Sequence, residues 1–413
     1  MTKVVFLDFA SEVNRGDAIM QEVFYNSAIE TLKASQISVI SVYGRNQNFD
    51  APEHFDLTAR YKPKIYPNLR NSGNKLSQHH NSSKWKNAVS LLIALFQLLI
   101  LRISGTFLGR PDQKAVITAL KSADYIIWNG RNFRDRRGIG ELYDIFCMLI
   151  SAQIALTLGK KIYTVGVSIW PLKLALSRFL LRRTLAKCAI VSVRESSSYK
   201  YATSVLKLTN INCDPDLSFA SMPFTGLNNL DSNRTKMFIT IVDWTEDGET
   251  VRRNYVKAVI HAIKWGQRNG LDPVIVPQVH HKWEDYREIL SQILAEVEVE
   301  VISKSFEHED LLSLYRSGAM LLATRMHSAI FALSEGCKVL ALSYDSGAKW
   351  SILTDAGLKP SYLVKMQELA EIDIESRLDS ILKDNGYWNQ IGPNYRRNKN
   401  NVQSIFTKIR DYN

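Results

Sequence analysis

The stretch Val4–Val42, VVFLDFASEVNRGDAIMQEVFYNSAIETLKASQISVISV, decides the fold. Val4–Phe9 is a short apolar run closed by polar residues, the pattern of a buried strand. Ser11–Asp17 is a polar turn. A helical pattern follows from about Asp17 to Lys33, and Ile37–Val42 is a second strand. Strand, turn, helix and strand in that order predict parallel pairing, with helices on the sheet faces.

Working outward, residues 44–87 interrupt this alternation. They are rich in Asn, Ser, Lys, Pro and His, with little periodicity, and read as a long polar insertion. Val89–Leu101, VSLLIALFQLLIL, is the longest apolar run. It falls short of the roughly twenty residues that cross a bilayer as a helix. Two readings stay open for it, a buried helix or a helix lying on a membrane with Lys84, Lys86 and Arg102 toward anionic headgroups. The alternation then resumes, with strands at Tyr125–Trp128, Ile162–Val167 and Ile190–Val193. Helices are expected at Glu141–Leu158, Leu174–Lys187 (basic) and Ser196–Leu206. Ser221–Lys236 is rich in turn formers and is the best linker. Beyond it a second series has strands near Met237–Val242, Pro273–Pro277, Val299–Ile302, Met320–Ala323 and Val339–Leu342. Its helices are expected near Val251–Arg268, Trp283–Ala295, Asp310–Arg316 and Ser328–Glu335. The fold class expected is therefore α/β, with two Rossmann-like domains facing across a cleft. An N-terminal domain takes 1–225 and a C-terminal domain 235–365. A helical tail, 366–413, has packing back on the N-terminal domain as one option. Ligands of such sheets bind at the carboxyl ends of the strands.

Composition narrows the function. The chain has 413 residues, 46% hydrophobic and 23% charged, which excludes disordered, collagen-like and fibrous proteins. Lys and Arg number 52 against 41 Asp and Glu, a net charge of +11, which points to an anionic partner. Nucleic acid is the disfavoured one, because the cations are scattered and no aromatic-laced basic stripe is present. Cys147, Cys188, Cys213 and Cys337 lie far apart without a C-x-x-C, so neither a zinc site nor a disulfide framework is expected, and a reducing cytosol suits them. The start, MTKVVFLDFA, does not read as a signal peptide.

Met320–Lys349, MLLATRMHSAIFALSEGCKVLALSYDSGAK, is the most informative chemistry. A strand ends near Ala323, Thr324–His327 turn, and a helix follows. Helix-start N–H groups and the dipole favour an anion there. Arg325 adds a planar donor fork, and His327 a group that moves protons near neutral pH. Spacing alone leaves a capping arginine and a core histidine equally open. In Ile190–Ser198, IVSVRESSS, Arg194 ends a buried strand, and an ion pair explains it as well as a ligand does. Asn14-Arg15-Gly16-Asp17 sits like a phosphate turn but lacks both G-x-G-x-x-G and a P-loop lysine, so Asp17 reads equally as a helix cap. Cys213-Asp214-Pro215-Asp216 reads as a turn. Gln278 and His280 end a strand, but the adjacent His280-His281 point apart, and no metal is expected. Trp128–Gly138, WNGRNFRDRRG, is a basic loop holding Asn129 and Arg131, and it reads as a solvated turn or an acceptor wall. No Ser-His-Asp or Cys-His pairing is legible.

Together NRGDAI, VGVSIWP, RRTLAKCAIVSVRESSS, DPDLSF and TRMHSAIFALSEGCKVLALSYDSGAK resemble the polysaccharide pyruvyltransferase family, in the family's order and across nearly the whole chain. The family's Gly-Gly turn is replaced here by WNGRNFRD, and its glycine-rich turn after Val165 by GVSIWP. The resemblance implies a fold similar to the glycosyltransferase B (GT-B) type. It implies an enzyme of cell-envelope or exopolysaccharide synthesis that moves pyruvyl from phosphoenolpyruvate to two hydroxyls of a sugar, giving a cyclic ketal. The acceptor would be a sugar or a lipid-linked or polymeric glycan, with no cofactor beyond the co-substrate. Arg194, Arg325 and His327 match the donor pocket. His327 is the expected general acid, Asp17 or Asp214 the helping carboxylate, and Asn14, Asn129, Arg131, Gln278, His280, Tyr344 and Lys349 the acceptor and cleft candidates. The expected location is cytoplasmic, with loose attachment to the inner membrane face as an option. A GT-B glycosyltransferase using a sugar nucleotide and a non-catalytic glycan-binding member remain alternatives.

Overall fold

The computed structural model describes residues 1–12, 14–43, 57–69, 84–129, 132–134, 139–221, 224, 234–276, 286–302, 308–344 and 348–413. It divides into two compact units. One comprises Met1–Val13, Met20–Leu217 and Asn401–Asn413, the other Asn14–Ile19 and Ser218–Asn400.

In chain order the first unit is built from β1 (Thr2–Phe9), α1 (Arg15–Glu30), β2 (Ala34–Ser41), α2 (Thr58–Tyr61), β3 (Lys64–Tyr66), α3 (Lys84–Ser104), α4 (Pro111–Ser122), β4 (Tyr125–Asn129), β5 (Asn132–Phe133), α5 (Ile139–Thr157), β6 (Ile162–Ile169), α6 (Ala175–Leu185), β7 (Ile190–Val193), α7 (Ser196–Ser204) and β8 (Ile211–Cys213). The first turn of α1 is grouped with the second unit. The strands run in the order β3-β2-β1-β4-β6-β7-β8, with β5 alongside β6, and each described pairing is parallel. Val4–Phe9 and Ile162–Ile169 are buried throughout. A parallel sheet covered on both faces requires this, so its strands read as continuous apolar runs rather than as alternation.

The segment 44–87, which lacks periodicity, holds α2 and β3 within its described part, and β3 extends the sheet by pairing with β2. At three residues β3 is too short to leave a legible apolar period. At the carboxyl end of β1, Asp8 takes a left-handed backbone, φ 60°, where the register with β2 shifts. Asp is among the few residues that enter this region readily. Its buried carboxylate accepts from Trp128 Nε1 at 2.9 Å and Ser151 Oγ at 3.4 Å.

The second unit holds β9 (Lys236–Ile239), α8 (Glu249–Arg268), β10 (Asp272–Ile275), α9 (Arg287–Leu294), β11 (Glu300–Val301), α10 (His308–Arg316), β12 (Gly318–Ala323), α11 (Met326–Ser334), β13 (Lys338–Ser343), α12 (Ser351–Asp355), β14 (Leu363–Lys365), α13 (Ile374–Lys383) and the start of α14 (Trp388–Tyr412). Its sheet is also parallel, in the order β11-β10-β9-β12-β13-β14. The two central strands, β9 and β12, send their carboxyl ends into Thr240 and Thr324. Thr324 N–H donates to Thr240 Oγ1 at 2.9 Å, and Thr324 Oγ1 donates to Thr240 O at 2.6 Å. This buried exchange fixes the turn that follows β12.

Candidate functional site

The turn after β12 is the sharpest constellation in the second unit. Arg325 is the N-cap residue of α11, in extended backbone, and its side chain makes no capping bond. The helix begins at Met326, two residues earlier than the apolar pattern suggests, so Arg325 and His327 both belong to its start. The first N–H groups of a helix lack intrahelical partners and carry the positive end of its dipole. Burial pulls the Arg325 guanidinium below its usual value, while Tyr344 and Tyr255 act the other way, Tyr344 also through a hydrogen bond. Guanidinium stays charged even so. The position therefore combines a fixed cation with a helix start.

Two neighbouring strand ends add to it. After β13, Lys349 Nζ donates to Tyr344 Oη at 2.9 Å and lies 4.4 Å from the ring centroid. After β9, Trp244 packs on Tyr344 with ring centroids 4.6 Å apart. Trp244 Nε1 donates to Asp247 at 2.7 Å, and Gln367 Nε2 donates to the same carboxylate at 2.6 Å. The Trp244–Tyr344 pair gives a half-buried aromatic face next to two cations. Sequence reasoning missed Trp244. The signal was available, since it sits five residues past the end of a parallel strand, and parallel sheets of this kind take ligands at that edge.

The Asn14–Ile19 segment belongs to this unit as well. Asn14 Oδ1 accepts from Gly16 N–H at 3.2 Å, and Asn14 Nδ2 donates to Asp17 at 3.0 Å. A methyl group on Gly16 would lie 2.0 Å from His327 Nδ1. The lone glycine of NRGD is thus a place for an imidazole to lie against backbone, not part of a phosphate loop. Asn14, Asp17, Arg325, His327, Tyr344 and Lys349 all fall in one unit, the first two brought there by a contact across some three hundred residues of chain.

Arg194 and Asp214 belong to the first unit. Arg194 is buried, and its nitrogens have protein partners. Nε donates to Ser168 Oγ at 2.7 Å, Nη1 to Asp216 at 2.9 Å, and Nη2 to Asn132 Oδ1 at 2.8 Å. Glu195 Oε2 is 3.5 Å from Arg194 Nε and accepts from Ser168 at 2.9 Å; Ser198 completes the cluster through Glu195 Oε1. Burial pushes the Glu195 carboxyl up to about 7, against the lowering effect of Arg194 and the two serines. The strand β6 runs two residues past the expected Val167, so Ser168 of the GVSIWP segment stands in the strand rather than in a turn, and it ties Arg194 to Glu195. Asp214 is buried and accepts from Lys408 Nζ at 3.1 Å. Asn129 is buried at the end of β4. Arg131, Gln278 and His280 lie outside the described residues. No group of three or more metal-ligating side chains occurs among the described residues.

A family model described as polysaccharide pyruvyl transferase matches residues 14–346. The chain belongs to that family. The match runs from the NRGD turn past Tyr344, so it takes in residues of both units and the strand-edge cluster apart from Lys349 and Gln367. A search of curated proteins found no match. Among solved structures the pyruvyl transferase chain is similar to the S. aureus MnaA–UDP co-structure, with TM-score 0.59, 14% identity and 100% and 97% of the two chains covered. It is similar to UDP-GlcNAc 2-epimerase from Neisseria meningitidis bound to UDP-GlcNAc, with TM-score 0.53, 13% identity and 99% of each chain covered. It is also similar to an α,α-trehalose-phosphate synthase (UDP-forming) from Burkholderia vietnamiensis, with TM-score 0.54, 12% identity and 100% and 99% covered. At such identities these likenesses establish the fold, which is of the GT-B class.

Proposed function

We propose that this family member transfers the pyruvyl group of phosphoenolpyruvate to two hydroxyls of one sugar in a glycan, giving a cyclic ketal and free phosphate. The observation that carries this reading is the junction of Arg325, His327 and Lys349 around a helix start and a tyrosine, in a chain of this family. The donor carries a phosphate and a carboxylate. A helix start with Arg325, and Lys349 on the neighbouring strand end, offer charge to both; charge-assisted contacts are worth roughly 1.5–3 kcal/mol each.

His327 delivers a proton to the methylene carbon of the enol, and the adjacent carbon becomes electrophilic. A sugar hydroxyl oxygen bonds to that carbon as its proton leaves, with Asp17 as the accepting carboxylate. The carbon–oxygen bond to phosphate breaks. The second hydroxyl closes the ring and gives up its proton. One hydroxyl proton balances the new methyl group, and the other leaves with phosphate. Asp17 suits the base role better than Asp214, whose carboxylate is buried and held by Lys408. Trp244 and Tyr344 supply an aromatic face on which a sugar ring can lie.

The test is mass spectrometry of a glycan incubated with enzyme and phosphoenolpyruvate. A gain of one pyruvate less one water, with equimolar phosphate release, is the expected result. A second reading, a transferase using a sugar nucleotide, draws on the UDP-containing neighbours. Saturable binding of a sugar nucleotide, with none of phosphoenolpyruvate, would replace the first reading by the second. Tight donor binding without phosphate release for any acceptor would favour a glycan-binding role.

A further inference from the structure

The positive charge of this chain is confined in an unexpected way. Cations occur throughout, but acids do not. Residues 57–111 contain nine Lys or Arg and no Asp or Glu, and residues 145–194 contain eight and none. Those stretches hold 17 of the 52 cations, so the remainder of the chain is net −6 and the whole basic excess lies in two segments of the first unit. Each segment contributes a helix with an uncovered apolar face.

In the first segment, α3 is apolar on two sides. Ala94, Gln97, Leu98 and Leu101 face the core and are buried. Leu92, Phe96, Leu99 and Ile103, at the same helical spacing on another side, are 52–76% exposed. In the second, α6 buries Ser177, Leu181, Thr184 and Leu185 and leaves Leu176 and Phe179 about half exposed, beside Arg182 and Arg183. Hydrogen bonds string the two helices across α5. Arg102 of α3 donates to Gln153 of α5 at 2.5 Å, and Gln153 donates to Thr184 of α6 at 2.5 Å. The two apolar stripes therefore flank one helix on one face of the sheet.

We propose that this face docks on an anionic lipid bilayer. Leu92, Phe96, Leu99, Ile103 and Phe179 enter the headgroup boundary, and Arg182, Arg183, Lys187 and Lys173 meet lipid phosphate. An apolar stripe on a helix without acids, rimmed by cations, is the pattern of an interfacial helix. No helix among the described residues is long and apolar enough to cross a membrane, so the attachment lies on the surface. A second copy fits less well. A two-fold interface sets the same surface against itself, and here that brings cations against cations with no acid on either helix. This attachment holds whatever reaction the second unit carries out.

The test is co-sedimentation of the full chain with vesicles of phosphatidylcholine alone and of phosphatidylcholine mixed with phosphatidylglycerol. Binding to the anionic vesicles and not to the neutral ones is expected, weakening as salt rises. The pair Phe96→Glu/Leu99→Glu, and separately Arg182→Glu/Arg183→Glu, should each reduce that binding by about tenfold or more. Both pairs replace exposed side chains, and circular dichroism verifies that the variants stay folded. The proposal is overturned if the wild type ignores anionic vesicles at low salt, or if folded variants bind as it does. It is equally overturned if the wild type is a dimer in solution that Phe96→Glu/Leu99→Glu separates, because a second copy then covers the face.

Discussion

His327 and Glu195 show how far a single side chain is defined by its surroundings. An imidazole two residues past an arginine is legible in the sequence; its role rests on the strand edge where it sits. His327→Ala should lower turnover by roughly 10²–10⁴-fold, the range for loss of a general acid. The unfolding midpoint should be unchanged, and near-normal turnover removes His327 from the mechanism. Glu195 stands in the sequence between the end of a strand and the start of a helix. In the fold it shares a buried space with Arg194 and Asp216. Burial, with a smaller push from Asp216, raises its carboxyl to about 7 against the lowering effect of Arg194 and the two serines. Protonated, it can donate to Ser198 while Ser198 donates to Ile169 O at 3.2 Å, so the network is satisfied in that state too. A folded value above the unfolded one means stability that is full below about pH 4.5 and lost as pH rises through about 7. Thermal melts of the wild type should thus fall between pH 5 and pH 8 relative to those of Glu195→Gln, whose amide does not titrate. Parallel profiles would mean that Glu195 keeps its charge in the fold.

At the scale of elements, the positions of the longer strands and of most helices were open to reading because buried parallel strands are continuous apolar runs. Ile190–Val193 is found at the residues the sequence indicates, and β9, β10, β12 and β13 within a few of them. The short edge strands β3, β8 and β14, three residues each, were not legible, because a strand that brief has no period to detect. How elements meet was equally hidden. Gly16→Ala should drive a methyl into the His327 ring, lowering kcat by at least tenfold with little loss of helix, since Ala favours helix over Gly by about 1 kcal/mol. Unchanged kcat would show that the ring has room to move. Thr240→Ala removes an acceptor and leaves the buried Thr324 N–H unsatisfied, at a cost of about 1–3 kcal/mol. It should lower both the urea midpoint and the affinity for phosphoenolpyruvate, because the Arg325 turn is hung on that bond; an unaltered donor affinity would show that the turn is held by other means.

For the molecule as a whole, the division into units does not follow chain order. Asn401–Asn413 belongs with the first unit, where Phe406 meets Phe24 edge-on at 5.8 Å, Lys408 holds Asp214, and Tyr412 meets Tyr163 at 6.1 Å. Ending the chain at residue 400 strips a buried aromatic from that core, a change of the size of a Phe→Ala cavity, about 3–5 kcal/mol. Calorimetry should show the first unit melting earlier, and an unaltered melt would mean that the last helical turns add nothing to it. The amino-acid sequence by itself determined the α/β class, the parallel sheets, the family and the Arg325–His327 turn, because each is written in local apolar periods or in a contiguous motif. Only the tertiary structure decided that Arg194 is engaged by Asp216, Ser168 and Asn132, that Gly16 shelters His327, and that α3 keeps one apolar face uncovered. Those outcomes depend on contacts between residues far apart in the chain, and local periodicity carries no information about which distant surface a side chain will meet.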